Sequence, residues 1–438
     1  MILKGKAYLI AGTQSGCGKT TVTLALMQYL KAGGKSIAPF KSGPDFLDPM
    51  WHEVACGRTS YNIDTRMVGV DLSRRLLAEK SADADITIIE GVMGLFDGLK
   101  GVGGVGSSAD LAKQLDVPVL LVVSAKGMSG SIVALVEGFK ARADNMGVNI
   151  AGIIANHVGS ENHAKILREL LQEFDLPPLL AWLNKDAPQL PERHLGLKMP
   201  SELDLPDFSD CLHVEKSFTA EAQSTQSFAE QNVIRAMCSS VSSRLDGKKI
   251  AVAKDKACCF IYPANIEWLQ VEGAEILYFS PLAGEAVPEG ADALWLPGGY
   301  PELHLSALEQ STSWASIQAF VESDKPVLAE CGGMMLLGQS ITDKQGETAQ
   351  MAGILPCTFT MQDKLAGLGY REDASGVRGH EFHHSKRLFT AEAQKCRYTQ
   401  SAFVVTRGDE GMRYRNLRAS YIHWYFPSQP EEVASWFQ

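Results

Sequence analysis

The chain has 438 residues, 45% hydrophobic and 21% charged, with nine cysteines and a formal net charge of −10. That length supports two or three domains with full cores, in the proportions of an ordinary water-soluble protein. The acidic balance argues against a sequence-independent nucleic-acid binder, and no apolar run reaches the roughly 20 residues that span a bilayer. The cysteines are odd in number and scattered without a C-x-x-C pair, which fits reduced thiols in a cytoplasm. Met1–Lys6 leads straight into a strand with no cleavable secretory pattern.

In chain order, Lys6–Gly12 reads as a short apolar strand and Thr20–Leu30 as a helix. Strands are expected at Ser36–Lys41, Asp85–Glu90, Val117–Ser124 and Asn149–Asn156, with helices between them that include Ser131–Arg142 and His163–Glu173. Buried apolar runs alternating with helices predict a doubly wound parallel α/β sheet. Around Ser209–Ser243 the pattern dissolves into Ser, Thr, Gln, Ala and Glu, where Phe228–Met237 could still hold a short helix. A second α/β series begins at Lys249–Lys254. It continues through strands Glu275–Ser280 and Ala293–Leu296, a helical Glu302–Glu322 and the strand Pro326–Glu330. The expected division is residues 1–200, a linker at 201–247, and residues 248–438.

Between the first strand and helix lies Gly12-Thr-Gln-Ser-Gly16-Cys-Gly18-Lys19-Thr20-Thr21. Its glycines allow backbone N–H groups to turn onto phosphate oxygens, and the following helix offers its positive end. The loop is one residue longer than the strict G-x4-G-K-[ST] pattern. Lys19 is expected at the β/γ-phosphates of ATP and the Thr20 hydroxyl on Mg²⁺. Asp45 and Asp48 follow the second strand; Glu90 and Asp97 follow the third. A carboxylate just past a strand end is well placed to hold a metal beside such a loop. The plainer reading makes Asp45, Asp48 and Asp97 turn formers beside Pro and Gly, and it is favoured for Asp48. Thr20, Asp45 and Glu90 are the expected metal ligands, with Asp97 assigned a catalytic part.

Far along the chain, Ala329-Glu330-Cys331-Gly332-Gly333 follows an apolar run. A strand–turn–helix elbow there would expose a thiol at a helix N-terminus, the setting of a nucleophile rather than a structural cysteine. Pro297-Gly298-Gly299-Tyr300 follows another strand, and Gly298 and Gly299 could present N–H groups to an oxyanion. His423 is the best-placed general base. Arg378, His380 and His383 form a rival cluster whose H-E-x-H-H spacing lacks the helical metal pattern. Substrate anchoring or an interface is the expected use, as for Arg193 and His194.

Together these segments resemble the cobyrinic acid a,c-diamide synthase family over nearly the whole chain. The resemblance rests on Ala11–Thr20, Phe40–Asp45, Glu90–Gly98, Pro191–Leu197, Gly298–Glu302, Ala329–Gly333 and Arg378–Ser385. It implies a dethiobiotin-synthetase-type ATPase domain followed by a class I glutamine amidotransferase domain. Cys331 would be the glutaminase nucleophile and His423 its base. Ordinary class I domains add a glutamate soon after the histidine; here Trp-Tyr-Phe follows, so a Cys–His dyad is expected. The implied reaction uses ATP, Mg²⁺ and L-glutamine to amidate the a and c acetates of a corrinoid polycarboxylate through an acyl phosphate, with ammonia passing to it. Hydrogenobyrinic acid and nickel-sirohydrochlorin are alternative substrates. A homodimer is compatible with the sequence. Outside this class stand a partitioning-type ATPase that binds a protein partner, which leaves Cys331 and the second half unused, and a cysteine hydrolase with a vestigial nucleotide site.

Overall fold

A computed structural model describes residues 6–99, 102, 104–193, 196–215, 218, 243–390 and 401–438. The chain divides into two compact units, Met1–Met237 and Cys238–Gln438.

The strands of the first unit are β1 (Lys6–Gly12), β2 (Ile37–Ser42), β3 (Tyr61–Ile63), β4 (Ile86–Gly94), β5 (Val119–Ser124), β6 (Ile150–Val158), β7 (Leu179–Asn184), the two-residue strands β8 (Glu192–Arg193) and β9 (Gly196–Leu197), and β10 (Leu212–Val214). Eight of them form one sheet in the order β10-β7-β6-β5-β1-β4-β2-β3. All pairs within it are parallel except the β10–β7 edge. Its central strands are buried along nearly their whole length, with Leu9, Ile10, Ile88, Ile89 and Leu120–Val123 essentially inaccessible. This is the pattern of a parallel sheet covered on both faces. Helices α1 (Lys19–Ala32) and α2 (Leu47–Cys56) follow β1 and β2, so both start at the carboxyl ends of central strands. That is where ligands bind in open α/β sheets.

The second unit holds β11 (Lys249–Ala253), β12 (Glu275–Phe279), β13 (Ala293–Leu296), β14 (Val327–Glu330), β15 (Ser340–Thr342), β16 (Thr348–Gln350), β17 (Cys357–Met361), β18 (Gly367–Glu372), β19 (Arg378–His383), β20 (Ser385–Phe389), β21 (Met412–Tyr414), β22 (Leu417–Ser420) and β23 (Ile422–Trp424). Its main sheet runs β12-β11-β13-β14-β22-β21, parallel except for the β21 edge. Beside it lie smaller sheets, β16-β15-β17-β20 and β18-β19-β23, in which only the β15–β17 pair is parallel. In β17 buried and half-buried residues alternate, the mark of a sheet with one face toward water. The doubly wound expectation therefore describes the main sheet and omits this antiparallel part.

Three local expectations differ from the structure. The single helix at Glu302–Glu322 is instead a 3₁₀ turn at Pro301–Leu303 followed by helices Leu305–Glu309 and Ser313–Glu322. The hydroxyls of Ser311 and Thr312 donate to the carbonyls of Pro281 and Gly284, so these side chains compete with a continuous helix. The segment expected as linker contributes β10 to the first sheet, where His213 stacks on Trp182 at 3.9 Å and Phe208, Leu212 and Phe218 enter the core. Asp48, expected as a turn former, lies in the first turn of α2 and is buried. The helix expected at Phe228–Met237 falls outside the described residues.

Candidate active sites

In the first unit β1 ends at Gly12, and Gly18 caps α1 in a left-handed conformation, φ 90°. A Cβ on Gly18 would lie 2.0 Å from Asn156 Nδ2, so conformation and space both demand glycine. That Asn156 amide, from β6, donates to the Cys17 carbonyl at 3.0 Å and pins the loop from behind. A Cβ on Gly12 would meet Cys17 Sγ at 2.3 Å, whereas Gly16 faces open space. The loop is thus tight at its base and open at its tip. Lys19 and Thr20 start the helix, with Thr21 next; burial pulls the Lys19 pKa down, opposed by Cys17 and Glu90.

The acidic residues converge beneath this loop. The Thr20 hydroxyl donates to Glu90 Oε1 at 2.6 Å. Lys41 Nζ lies 2.5 Å from Asp48, 3.1 Å from Glu90 and 4.0 Å from Asp45. His52, buried in α2, bonds Glu90 Oε2 at 2.8 Å through one ring nitrogen and Ser60 through the other. Burial opposes charge on both Lys41 and Glu90. Asp48 and Glu90 nevertheless push Lys41 above the usual lysine range, and Lys41, His52 and Thr20 draw Glu90 below the usual carboxylate range. Burial and the neighbouring Asp45 and Glu90 raise Asp48. Three carboxylates, Asp45, Asp48 and Glu90, thus surround the Lys41 ammonium. The donors are hard oxygens, the type Mg²⁺ takes, and the Thr20 hydroxyl beside Glu90 is the part nearest the loop.

Of the expected metal ligands, Thr20 and Glu90 are brought together directly. Asp45 spends Oδ1 as a cap on the Leu47 and Asp48 amides, and its other oxygen lies on the Lys41 side. Asp97 accepts from the Gly94 amide at 3.0 Å and closes a turn. The turn lies beside the loop, because Leu95 N–H donates to the Gly12 carbonyl. Arg193 is in the short β8 strand, and His194 lies outside the described residues. Lys41, His52 and Asn156 were not singled out in the sequence. The signal available for Lys41 was its place at a strand's carboxyl end, directly ahead of Ser-Gly-Pro-Asp.

In the second unit β14 ends at Glu330 and the helix Gly332–Leu336 follows, with Cys331 between them at φ 45° and ψ −108°. A non-glycine residue at positive φ is strained, which is the expected state of a nucleophile elbow. The elbow is held on both sides: Cys331 N–H donates to the Ser420 carbonyl at 2.7 Å, and its carbonyl accepts from Met335. Gly332 and Gly333 have no room for a Cβ, which would meet Gly299 N at 2.9 Å and Leu296 O at 2.1 Å. The Gly298-Gly299 loop therefore lies directly against the elbow. His423 lies against the same loop, since a Cβ on Gly298 would fall 2.2 Å from its Cε1. One glycine loop thus touches both the Cys331 turn and His423.

Burial pushes the Cys331 thiol up, Glu302 adds to the shift, and the Gly332 amide opposes it. Burial likewise holds His423 well below the usual histidine range, helped by His380. Both shifts favour the uncharged forms, a thiol at Cys331 and a neutral imidazole at His423.

The histidine cluster divides. His380 pairs with His423 across β19–β23, stacks on it at 4.9 Å, and shares a hydrogen bond with the Tyr262 hydroxyl. His383 points to the other face of β19, bonding Glu381, which also holds Arg371, and stacking on Tyr421 at 3.6 Å. Arg378 anchors its strand through N–H to Ser428. His380 thus lies beside His423, and His383 belongs to the buried Glu381–Arg371 cluster.

Two family models match the chain: the CobQ/CobB/MinD/ParA nucleotide binding domain over residues 8–195, and the CobB/CobQ-like glutamine amidotransferase domain over 249–431. Among curated proteins it is 40% identical to the cobyrinate a,c-diamide synthase of Herminiimonas arsenicoxydans, covering 99% of this chain and 96% of that protein. It is 41% identical to the hydrogenobyrinate a,c-diamide synthase of Stutzerimonas stutzeri, covering 98% and 97%. The cobyrinate a,c-diamide synthase of Priestia megaterium matches at 37% over 100% and 97%.

Proposed function

The chain belongs to the cobyrinate and hydrogenobyrinate a,c-diamide synthase family, and from that premise we propose that it amidates the a and c acetates of a corrinoid polycarboxylate with ATP and glutamine. It is a C–N ligase with glutamine as amide donor. The observation that carries this reading is the pairing of a phosphate loop and an acidic pocket around Lys41 with a strained cysteine elbow and a buried histidine that share one glycine loop. A partitioning-type ATPase would have no use for the second of these.

In the first unit a substrate acetate oxygen attacks the γ-phosphorus of ATP, ADP leaves, and an acyl phosphate forms. Lys19 and the loop amides hold the phosphates. Thr20, Glu90 and Asp45 would hold Mg²⁺, which supplies charge neutralisation at the transferring phosphoryl group. Lys41 sets the charge of the acidic pocket, and Asp97 shapes the turn beside the loop. In the second unit Cys331 Sγ attacks the glutamine side-chain amide while His423 takes the thiol proton and passes it to the leaving nitrogen. The Gly298 and Gly299 loop borders the developing oxyanion. Water then cleaves the glutamyl thioester to glutamate. Ammonia attacks the acyl carbon and phosphate leaves. No described helix is long and apolar enough to cross a membrane, and we assign the reaction to the cytoplasm.

The decisive experiment is Cys331→Ala, which should abolish glutamine-dependent amidation while high ammonium still supports synthesis. Equal loss of both would remove Cys331 from the role of glutaminase nucleophile. Relatives of both names match at 40% and 41%, so metal-free hydrogenobyrinic acid is the second reading. Parallel kcat/KM measurements with the two macrocycles decide between them.

A further inference from the structure

Glu330 occupies the last position of β14, directly before the nucleophile, and is 1% exposed. Its Oε1 accepts the Trp424 backbone N–H at 2.8 Å, and its Oε2 accepts the Trp295 indole N–H at 3.1 Å. Trp424 is the residue after His423. Trp295 is on β13, two residues ahead of Pro297-Gly298-Gly299. One side chain therefore connects the nucleophile's strand, the base's strand and the strand that delivers the glycine loop. A hydrogen bond from Cys331 N–H to the Ser420 carbonyl runs alongside.

An apolar residue would fill a buried strand end at lower cost, since a buried carboxyl needs its acceptors used. Both are used here, by donors fixed to catalytic segments. Among the described residues no lysine, arginine or histidine forms an ion pair with it. Burial accordingly pushes this carboxyl up to about 8, the two N–H donors opposing. A group uncharged near neutral pH can hold the strands without setting a negative charge beside the thiol, which an anionic Glu330 would oppose.

We propose that Glu330 is a positioning residue for glutamine hydrolysis, keeping the Cys331 elbow, His423 and the Gly298-Gly299 loop in mutual register through its two accepted hydrogen bonds. This rests on Cys331 and His423 being the glutaminase pair. A misplacement of about 1 Å among reacting groups costs on the order of 100-fold in rate, so the effect belongs in kcat for glutamine.

The test compares Glu330→Gln with Glu330→Met in the full-length protein. Gln retains a carbonyl to accept from Trp424; Met fills the same space with no such acceptor. Expected is a fall of about 100-fold in glutaminase kcat for E330M and recovery to within about tenfold of wild type for E330Q, both at unchanged KM for glutamine. Ammonia-dependent synthesis, measured in the same preparations, should stay at the wild-type level. Equal kcat in E330M and E330Q would mean that Glu330 only fills space, and parallel loss of ammonia-dependent synthesis in E330Q would mean a general structural role; either overturns the proposal. Should E330M unfold the chain, Glu330→Asp replaces it. Drawing the carboxyl back by one methylene should lower kcat below that of E330Q, and wild-type kcat in E330D overturns the proposal. Cys331→Ala run beside them separates the premises: glutaminase activity surviving in C331A sinks the nucleophile assignment itself, whereas a dead C331A with a wild-type E330M sinks only Glu330.

Discussion

Cys331 and His423 are both buried, and burial penalises thiolate and imidazolium alike. This differs from cysteine enzymes that rest as an ion pair. Two consequences for pH follow. The Cys331 thiol is raised above its ordinary value of 9.0, so its thiolate fraction keeps growing as pH rises through the neutral range. Iodoacetamide alkylation of Cys331 should accelerate steadily from pH 7 to pH 9 with no plateau. A plateau already reached below pH 7 would mean a resting thiolate. His423 is depressed below its ordinary 6.5, so it remains a proton acceptor at neutral pH and the acid limb of glutaminase kcat/KM should lie below that value. In the other unit Lys41 is the buried cation among three carboxylates. It is the ammonium that bridges Asp48 and Glu90. Lys41→Met strands buried carboxylates, which should destabilise the fold by about 3–5 kcal/mol, read as a lower urea midpoint.

At the level of elements, both sites are built where a strand ends and a helix begins, and both are braced by a distant strand. Strand β6 braces the phosphate loop through the Asn156–Cys17 hydrogen bond, between residues 139 apart in sequence. Asn156→Ala leaves the Cys17 carbonyl without that donor and the loop less fixed. A loss of about 1.4 kcal/mol in ATP recognition would lower kcat/KM for ATP roughly tenfold. An unchanged value would show that the loop holds its shape without the strand. The same span in sequence explains what could be read beforehand. Lys19, Thr20 and Cys331 are legible because the glycines that shape their turns are immediate neighbours. Lys41 with Glu90, and Glu330 with Trp424, are joined across 49 and 94 residues, and no local spacing announces them. The parallel core strands were legible from their continuous apolar runs. The antiparallel strands after Gly338 were not, because their alternation is short and interrupted by polar turns. Asp48 reads as a turn former beside Pro49, yet its acid is drawn into the pocket by a lysine seven residues earlier.

For the molecule as a whole, the buried histidines make the second unit sensitive to acid. His380 is held down to about 3 by burial, with Arg371 adding, against an ordinary 6.5. A group depressed in the folded state contributes stability that is complete above 6.5 and drains away as pH falls toward 3. His423 is shifted in the same direction, and Glu381, lowered by His383 and Arg371 against its burial, loses its contribution as pH falls below 4.5. Glu330 works the opposite way: its folded value near 8 exceeds the ordinary 4.5, so protonation restores stability as pH falls from 8 to 4.5 and contributes nothing further below that. The balance therefore rises as pH falls from 8 to 6.5, where Glu330 alone takes up a proton, turns down below 6.5 and falls steeply below about 4.5. Five of the seven tryptophans, Trp268, Trp295, Trp314, Trp424 and Trp436, lie in this unit, so intrinsic fluorescence reports on it. Urea midpoints followed by fluorescence should peak near pH 6.5 and drop sharply below pH 4.5. Replacing His380 by Phe removes one proton-binding site from the unfolding balance, and the drop should become shallower even if the variant is less stable at neutral pH. A midpoint that declines evenly from pH 7, with the same slope in H380F, would mean that exposed carboxylates rather than the buried histidines govern acid unfolding.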